Sequence, residues 1–202
     1  MELLLLDNGF DELGRVDDFE SLQWTSRYYD VGSYKLILGI SAFDLFMSAV
    51  YLYRPDSGQL AWVEDGKQQL QITGRLIESL LDDRVIDTES NYTGTAAEIA
   101  RQIVKKYFVD ITGRQFTNLQ IGTIPVLAES ISRQYKGDRV GEACYELLRE
   151  AELSQRIRFD YLSNALIYEV WKGLDRTQNQ TANEWAIFSD NMETITDFGY
   201  ER

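Results

Sequence analysis

Three carboxylate pairs, Asp17-Asp18, Asp82-Asp83 and Glu150/Glu152, are the residues through which this chain could most readily do chemistry. Two carboxyl groups flanking a glycosidic bond can serve as acid and base, and their separation sets a retaining or an inverting outcome. Adjacency in sequence does not make such a pair, because neighbours on a strand point to opposite faces and neighbours on a helix splay apart. Solvated surface acids are the plainer reading. The same pairs could hold Ca²⁺, yet no Asp-x-Asp-x-Asp-Gly loop with a distal Glu occurs. Histidine is absent, which removes the usual general base, the usual activator of Ser or Cys and the commonest metal ligand. One cysteine, Cys144, allows no internal disulfide and no ordinary zinc site. The expectation is no metal, no cofactor and no catalytic residue.

Other patterns are weaker. Gly137-Asp-Arg-Val-Gly141 has two glycines, but no Gly-Lys-Ser/Thr follows to make a phosphate loop. Asn91-Tyr-Thr93 and Asn179-Gln-Thr181 match the glycosylation pattern, which without a secretion signal is coincidence. Trp24, Tyr28, Tyr29, Tyr34, Trp62 and Trp171 could form a sugar-stacking platform; aromatics at period two are more often core or subunit interface. Cys144 lies in an apolar stripe and reads as a small buried hydrophobe.

The charge balance narrows the partners. Acids outnumber bases 33 to 20, giving a net charge of −13. Such a surface repels phosphate backbones and anionic lipid, so neither specific nucleic-acid binding nor membrane insertion is expected. The opening MELLLLDNGF lacks the basic flank and length of a signal peptide and is too short to span a bilayer. It reads as a first strand in a protein made in the cytoplasm.

The elements that must position these residues follow from periodicity. Phe19 to Tyr29 reads as a strand, Asp30-Val31-Gly32-Ser33 as a turn, and Tyr34, Leu36, Leu38 and Ile40 alternate on one face. Tyr51-Leu52-Tyr53, the turn Pro55-Asp56-Ser57-Gly58, then Leu60 and Trp62 make a hairpin; Asp65-Gly66 signals another before Leu70 and Ile72. The period then changes: Leu76, Ile77, Leu80 and Leu81 share a helical stripe, and a polar loop runs through Ser90-Asn91. Thr95-Ala-Ala-Glu98 is a capping box ahead of Ile99, Ile103 and Tyr107, with Lys105 and Lys106 placed for the helix's negative end. A second helix starts near Asp138 and turns Val140, Cys144, Leu147, Leu148 and Ala151 inward. Ile157, Phe159 and Tyr161, a turn at Leu162-Ser163-Asn164, and Leu166, Tyr168 and Val170 return to strand, as does Trp185 to Phe188. The fold expected is α+β: a barrel-like antiparallel domain over 1–90, then an α+β domain over 91–202 with helices about 93–151 and strands about 155–200.

Three collinear stretches carry a resemblance. Ser21-Leu-Gln-Trp24-Thr-Ser-Arg27-Tyr28-Tyr29-Asp-Val-Gly32-Ser-Tyr34-Lys-Leu36 resembles the opening of a family of long-tailed phage tail-tip proteins. Ile72-Thr-Gly74-Arg75-Leu76-Ile-Glu-Ser79-Leu80-Leu81-Asp82-Asp-Arg84-Val-Ile86 follows, and then Gly173-Leu-Asp175-Arg176-Thr177 with Ile187-Phe188-Ser189 and Asn191. The family looks like the baseplate hub of contractile tails and the hub of type VI secretion spikes. The resemblance implies a trimer of barrel-like domains that caps the tail tube and adapts it to the tip or fibre proteins, and so a place in the virion. Family members usually run longer, so the chain is expected to be an N-terminal segment.

Within that frame Gly32 permits a tight corner, Tyr34, Leu36 and Leu38 face a core, and Trp24 and Tyr28 pack beneath the corner. Arg27 is expected to pair with Asp82 or Asp83, and Asp175-Arg176-Thr177 to form a local turn. Asp11, Glu12, Asp17 and Asp18 are expected to line a lumen that repels passing DNA. A glycan- or peptidoglycan-hydrolysing tail enzyme and a carbohydrate-binding attachment module are the rival readings.

Overall fold

The computed structural model describes residues 1–39, 46–67, 71–116 and 118–185, with only the backbone described for 65–67. Met1–Lys172 forms one compact unit and Gly173–Arg202 another. The expected strand at Trp185–Phe188, the signature residues Ile187, Phe188, Ser189 and Asn191, and Ile40 and Leu70 fall wholly or largely outside the described residues.

The first unit opens with β1 (Leu3–Leu6), β2 (Glu12–Val16), β3 (Ser21–Thr25) and β4 (Ser33–Ile37). The hairpin β5 (Tyr51–Arg54) and β6 (Gln59–Trp62) follows, then β7 (Asp65–Lys67) and β8 (Gln71–Arg75). These strands form two antiparallel four-stranded sheets, ordered β2-β1-β5-β6 and β3-β4-β8-β7. Among the described residues a bridge, Ala61 to Leu76, joins them. Among the described residues no sheet closes into a barrel, because β2 and β3 stand as unjoined edges. Asp65-Gly66, expected to turn, lies instead within β7, paired to Thr73 and Ile72.

The uninterrupted leucines of β1 are explained by burial on both faces. Side chains alternate along a strand. Leu3 and Leu5 join Leu36, Leu52, Ala61 and Ile72 in a core between the two sheets. Leu4 and Leu6 join Tyr51, Tyr53, Leu60 and the helices in a second core.

That second core is built by the rest of the unit. The stripe Leu76–Leu81 forms a short 3₁₀ turn, Ile77–Asp83. β9 (Ser90–Gly94) replaces the loop expected there and pairs with β11 (Ile131–Tyr135). Helix α1 (Ala96–Val104) carries the capping box in full: the Glu98 N–H donates to Thr95 Oγ1, and Glu98 accepts from the Thr95 N–H at 2.8 Å. We predict that Thr95→Ala costs about 1 kcal/mol in a urea titration, the ordinary worth of an N-cap. The helix runs on into a π turn, Lys105–Val109, which buries Tyr107 and Phe108. Helix α2 (Val140–Glu150) buries Val140, Cys144, Leu147 and Leu148.

β12 (Ser154–Asp160) and β13 (Ala165–Trp171) make the expected hairpin, and β10 (Leu119–Ile121) adds to β13 in parallel. The helical stretch expected over 93–151 is thus interrupted by β10 and β11. Strand pairing crosses residue 90, since Ser90 pairs with Tyr135 and a bridge joins Val85 to Arg139. The second core likewise takes side chains from both sides.

The second unit, over its described residues, is knitted by side chains. The Thr177 N–H donates to Asp175 Oδ1 at 2.8 Å, and Asn183 Nδ2 donates to the Asp175 carbonyl. Trp185 Nε1 donates to the Gln180 carbonyl at 3.1 Å.

Candidate functional site

The first two signature stretches meet in one row. Register places Trp24 opposite Tyr34 and Tyr34 opposite Gly74, on β3, β4 and β8. The Trp24 and Tyr34 rings stack 5.4 Å apart, Trp24 Nε1 donates to Gln59 Oε1, and Tyr34 Oη donates to the Trp62 carbonyl. Gly74 makes this possible by lacking a side chain. A Cβ there would stand 1.8 Å from the Trp62 carbonyl oxygen and 2.8 Å from the Tyr34 ring. Gly32 is the same kind of position, where a Cβ would meet Leu76 and the Thr25 carbonyl oxygen at 2.4 Å. Its own carbonyl accepts from the Leu76 N–H. Close approach of backbone, not an unusual φ, requires both glycines.

Beyond Thr25 the chain leaves the sheet and clamps the distant end of the unit. Tyr28 does not pack beneath the corner with Trp24, as expected. Its ring meets Tyr29 and Trp171 edge-on, at 4.6 and 5.1 Å, and its hydroxyl donates to the Glu152 carbonyl. Ser154 Oγ donates to the Tyr28 carbonyl, and Arg149 Nη2 to the Tyr29 carbonyl. The aromatics therefore engage one another pairwise and offer no shared flat platform. Arg27 pairs at 3.4 Å with Asp30, three residues along, rather than with Asp82 or Asp83, since the corner carries it toward β12. Both partners of this pair are more than half exposed. Exposed pairs contribute little. We predict that Arg27→Ala leaves stability within about 0.5 kcal/mol of the parent in chemical denaturation.

Between the corner and β12 lies a cleft of about 250 Å³, lined by Gly32, Leu76, Glu78, Gln155, Arg156 and Trp171 among others. Glu78 is only 8% exposed, and its Oε1 accepts from the Ile157 N–H at the free edge of β12. Its Oε2 has no hydrogen-bond partner, and neither has Trp171 Nε1. Burial pushes the Glu78 carboxyl up to about 7, against smaller opposing effects from backbone donors and Arg156. Arg156 and Arg158, two apart on β12, both bond the buried Glu169 across the ladder, at 2.9 and 3.0 Å. Arg158 first, then Arg156, holds the Glu169 carboxyl below the usual range. Arg156 also lies over the Trp171 ring, 4.9 Å from its centroid.

The sequence reading missed Glu78, Arg156, Arg158 and Glu169. A signal existed for each. Glu78 interrupts the apolar stripe between Ile77 and Leu80, Glu169 is the one charge in the apolar strand Ala165–Trp171, and Arg156-x-Arg158 sets two cations side by side on the polar face of an alternating strand.

The remaining predicted residues scatter. Arg75 pairs with Glu64 at 2.8 Å, and Leu80 is buried in the second core. Asp82 abuts Gly141, and its carboxyl is raised by burial and by Glu142. Arg84 donates to the carbonyls of Tyr107 and Arg114 and lies 4.4 Å from the Phe108 ring centroid. Glu12 is engaged by Arg15 and by the Tyr161 hydroxyl, while Asp11, Asp17 and Asp18 are exposed beside the edge strand β2. Asp175, Arg176 and Thr177 are exposed in the second unit. Glu150 pairs with Arg133, so Glu150/Glu152 is no free acid pair. Cys144 is fully buried, and burial pushes its thiol up to about 12.

The architecture is that of a phage tail protein fold. The prophage tail protein gp18 from Listeria monocytogenes EGD-e shares it at a TM-score of 0.54 and 13% identity, over 84% of this chain and 50% of that one. A looser likeness, TM-score 0.41 and 10% identity over 74% and 44% of the two chains, links it to an E. coli protein. That protein, c3393, is a type VI secretion component with structural similarity to the T4 bacteriophage tail proteins gp27 and gp5. The chain spans about half the length of these solved structures. No curated protein sequence matches it. Residues 2–202 match the Siphovirus ReqiPepy6 Gp37-like protein family, and the chain belongs to this family of siphovirus tail proteins.

Proposed function

We propose that the chain is a structural hub protein of a phage or prophage tail tip, capping the tail tube and adapting it to the tip or fibre assembly. Family membership over residues 2–202 carries this reading. Its partners are then other tail proteins, its working state a homotrimer and its location the virion, after synthesis in the bacterial host cytoplasm. The segments 1–90 and 91–202 act as the two halves of the hub. Asp11, Asp17 and Asp18 face the channel and keep DNA from adhering, Glu12 being tied to Arg15.

The hub does no chemistry in this reading. The other carboxylate lining the Glu78 cleft, Asp30, is held by Arg27, and Glu169 is held by two arginines. Glycoside hydrolysis asks for two free carboxyl groups that converge. Deleting the gene from a phage that carries it is expected to yield tails with unfinished tips and no infectivity. Wild-type particles with intact tips in electron micrographs of the deletion would overturn the proposal.

A further inference from the structure

We propose that Glu78 is a proton-operated latch, holding the outer edge of β12 against the 3₁₀ turn in acid and letting that seam open locally towards neutral pH. The inference goes beyond the hub reading and does not depend on it. β12 ends its sheet, so no strand lies along its outer edge. Two backbone donors on that edge reach across to the N-terminal part of the unit. The Phe159 N–H donates to the Gly58 carbonyl at 3.1 Å, and the Ile157 N–H donates to Glu78 Oε1 at 3.2 Å. A carbonyl accepts alike at every pH, so Glu78 is the titratable one of these two ties. It sits on the 3₁₀ turn just beyond Leu76, whose bridge to Ala61 joins the two N-terminal sheets.

Geometry fixes the direction. The Glu78 side chain is buried, with one oxygen held by a single amide and the other without a partner. Burying the carboxylate so sparsely solvated costs far more than burying the neutral acid. The elements packed around it do not supply the missing counter-charge. β12 brings Arg156 and Arg158, but both are bonded to Glu169 of β13. α2 brings the buried Tyr145 and Cys144, and Glu142, which acts on Asp82. The turn itself adds Asp82 and Asp83, β6 (Gln59–Trp62) adds no charge, and at the corner Arg27 and Asp30 pair with each other. Once the seam opens, the carboxyl meets water and titrates near its ordinary ~4.3. From about 4.3 up to about 7 the open form sheds a proton that the closed form keeps. The opening constant therefore rises about tenfold per pH unit over that span and levels off above it.

The test is amide hydrogen exchange of the whole chain, followed by mass spectrometry from pH 4 to pH 9 and corrected for the intrinsic pH dependence of exchange. Peptides covering 76–83 and 154–160 report the seam, and peptides of α1 report the core. The expected result is that seam protection falls between pH 5 and pH 7 and then levels off. At pH 8 the seam exchanges about tenfold or more faster than α1, the mark of a local opening rather than global unfolding. Glu78→Gln, its fold verified by melting, removes the pH dependence of the seam. The parent's own profile keeps the test decisive even where that variant fails to fold. Seam protection equal at pH 5 and pH 8, seam and α1 exchanging together at pH 8, or a fall retained in folded Glu78→Gln each overturns the proposal.

Discussion

Glu78→Gln is expected to raise the melting temperature at pH 8 by about 6–12 °C and to leave it unchanged at pH 4. The carboxyl sits at about 7 in the folded chain, because burial disfavours its charged form. In the unfolded chain it returns to about 4.3. The neutral acid therefore fits the fold, and its contribution is complete below about 4.3. That contribution is lost as pH rises through about 7, since folding must then either bind a proton or bury a charge. The gap corresponds to about 3 kcal/mol at pH 8. Glutamine keeps an acceptor for the Ile157 N–H and carries no charge at any pH, so the variant escapes the loss. Carboxylates held low by arginine, such as Glu169, act in the opposite sense at acid pH and cancel in the comparison of variant with parent. Thermal melts of both proteins from pH 4 to pH 8 check this. Parallel curves would show that Glu78 is solvated.

Gly74→Ala is expected to cost about 3 kcal/mol or to prevent folding altogether. A methyl group there would need the place of the Trp62 carbonyl oxygen, 1.8 Å away, and of the Tyr34 ring edge. Neither can give way alone. The Trp62 carbonyl accepts from Tyr34, and the ring is stacked on Trp24. The strands must part, and the bridge from Ala61 to Leu76 that joins the two sheets lies directly beside them. Overpacking of a tight core usually costs about 1–3 kcal/mol, and backbone at this distance places the site at the upper end. Gly113→Ala serves as the control. Nothing stands within 4 Å of that position, so only its φ of +75° opposes a side chain. Urea titrations of the two variants should separate them clearly, and equal losses would mean that the Trp24–Tyr34–Gly74 row has no special tightness.

Local chemistry made much of the fold legible. The capping box at Thr95 and Glu98, the hairpin of β12 and β13, and the inward stripe of α2 depend on residues within a few positions of one another. Periodicity and turn chemistry report such features directly. β10 was illegible because it pairs in parallel with β13, from which it lies more than forty residues distant in sequence, and three residues hold too little pattern to betray a strand. Ser90–Gly94 read as loop because its polar residues are tolerated in a two-stranded ribbon with an open face.

The site followed the same division. Trp24, Gly32, Tyr34 and Gly74 could be singled out by type and spacing, since a glycine among aromatics on alternating strands already implies close backbone approach. The sequence by itself thus determined the elements, the acidity and the residues that pack the corner, all of which are properties of short stretches. Which partner each side chain meets was decided by tertiary structure alone. Arg27 turned to Asp30, Tyr28 reached Glu152 and Trp171, and Glu78 came to rest against the free edge of β12. Apart from the local Arg27–Asp30 pair, those contacts join residues up to 143 positions apart, as between Tyr28 and Trp171, and only tertiary packing fixes them.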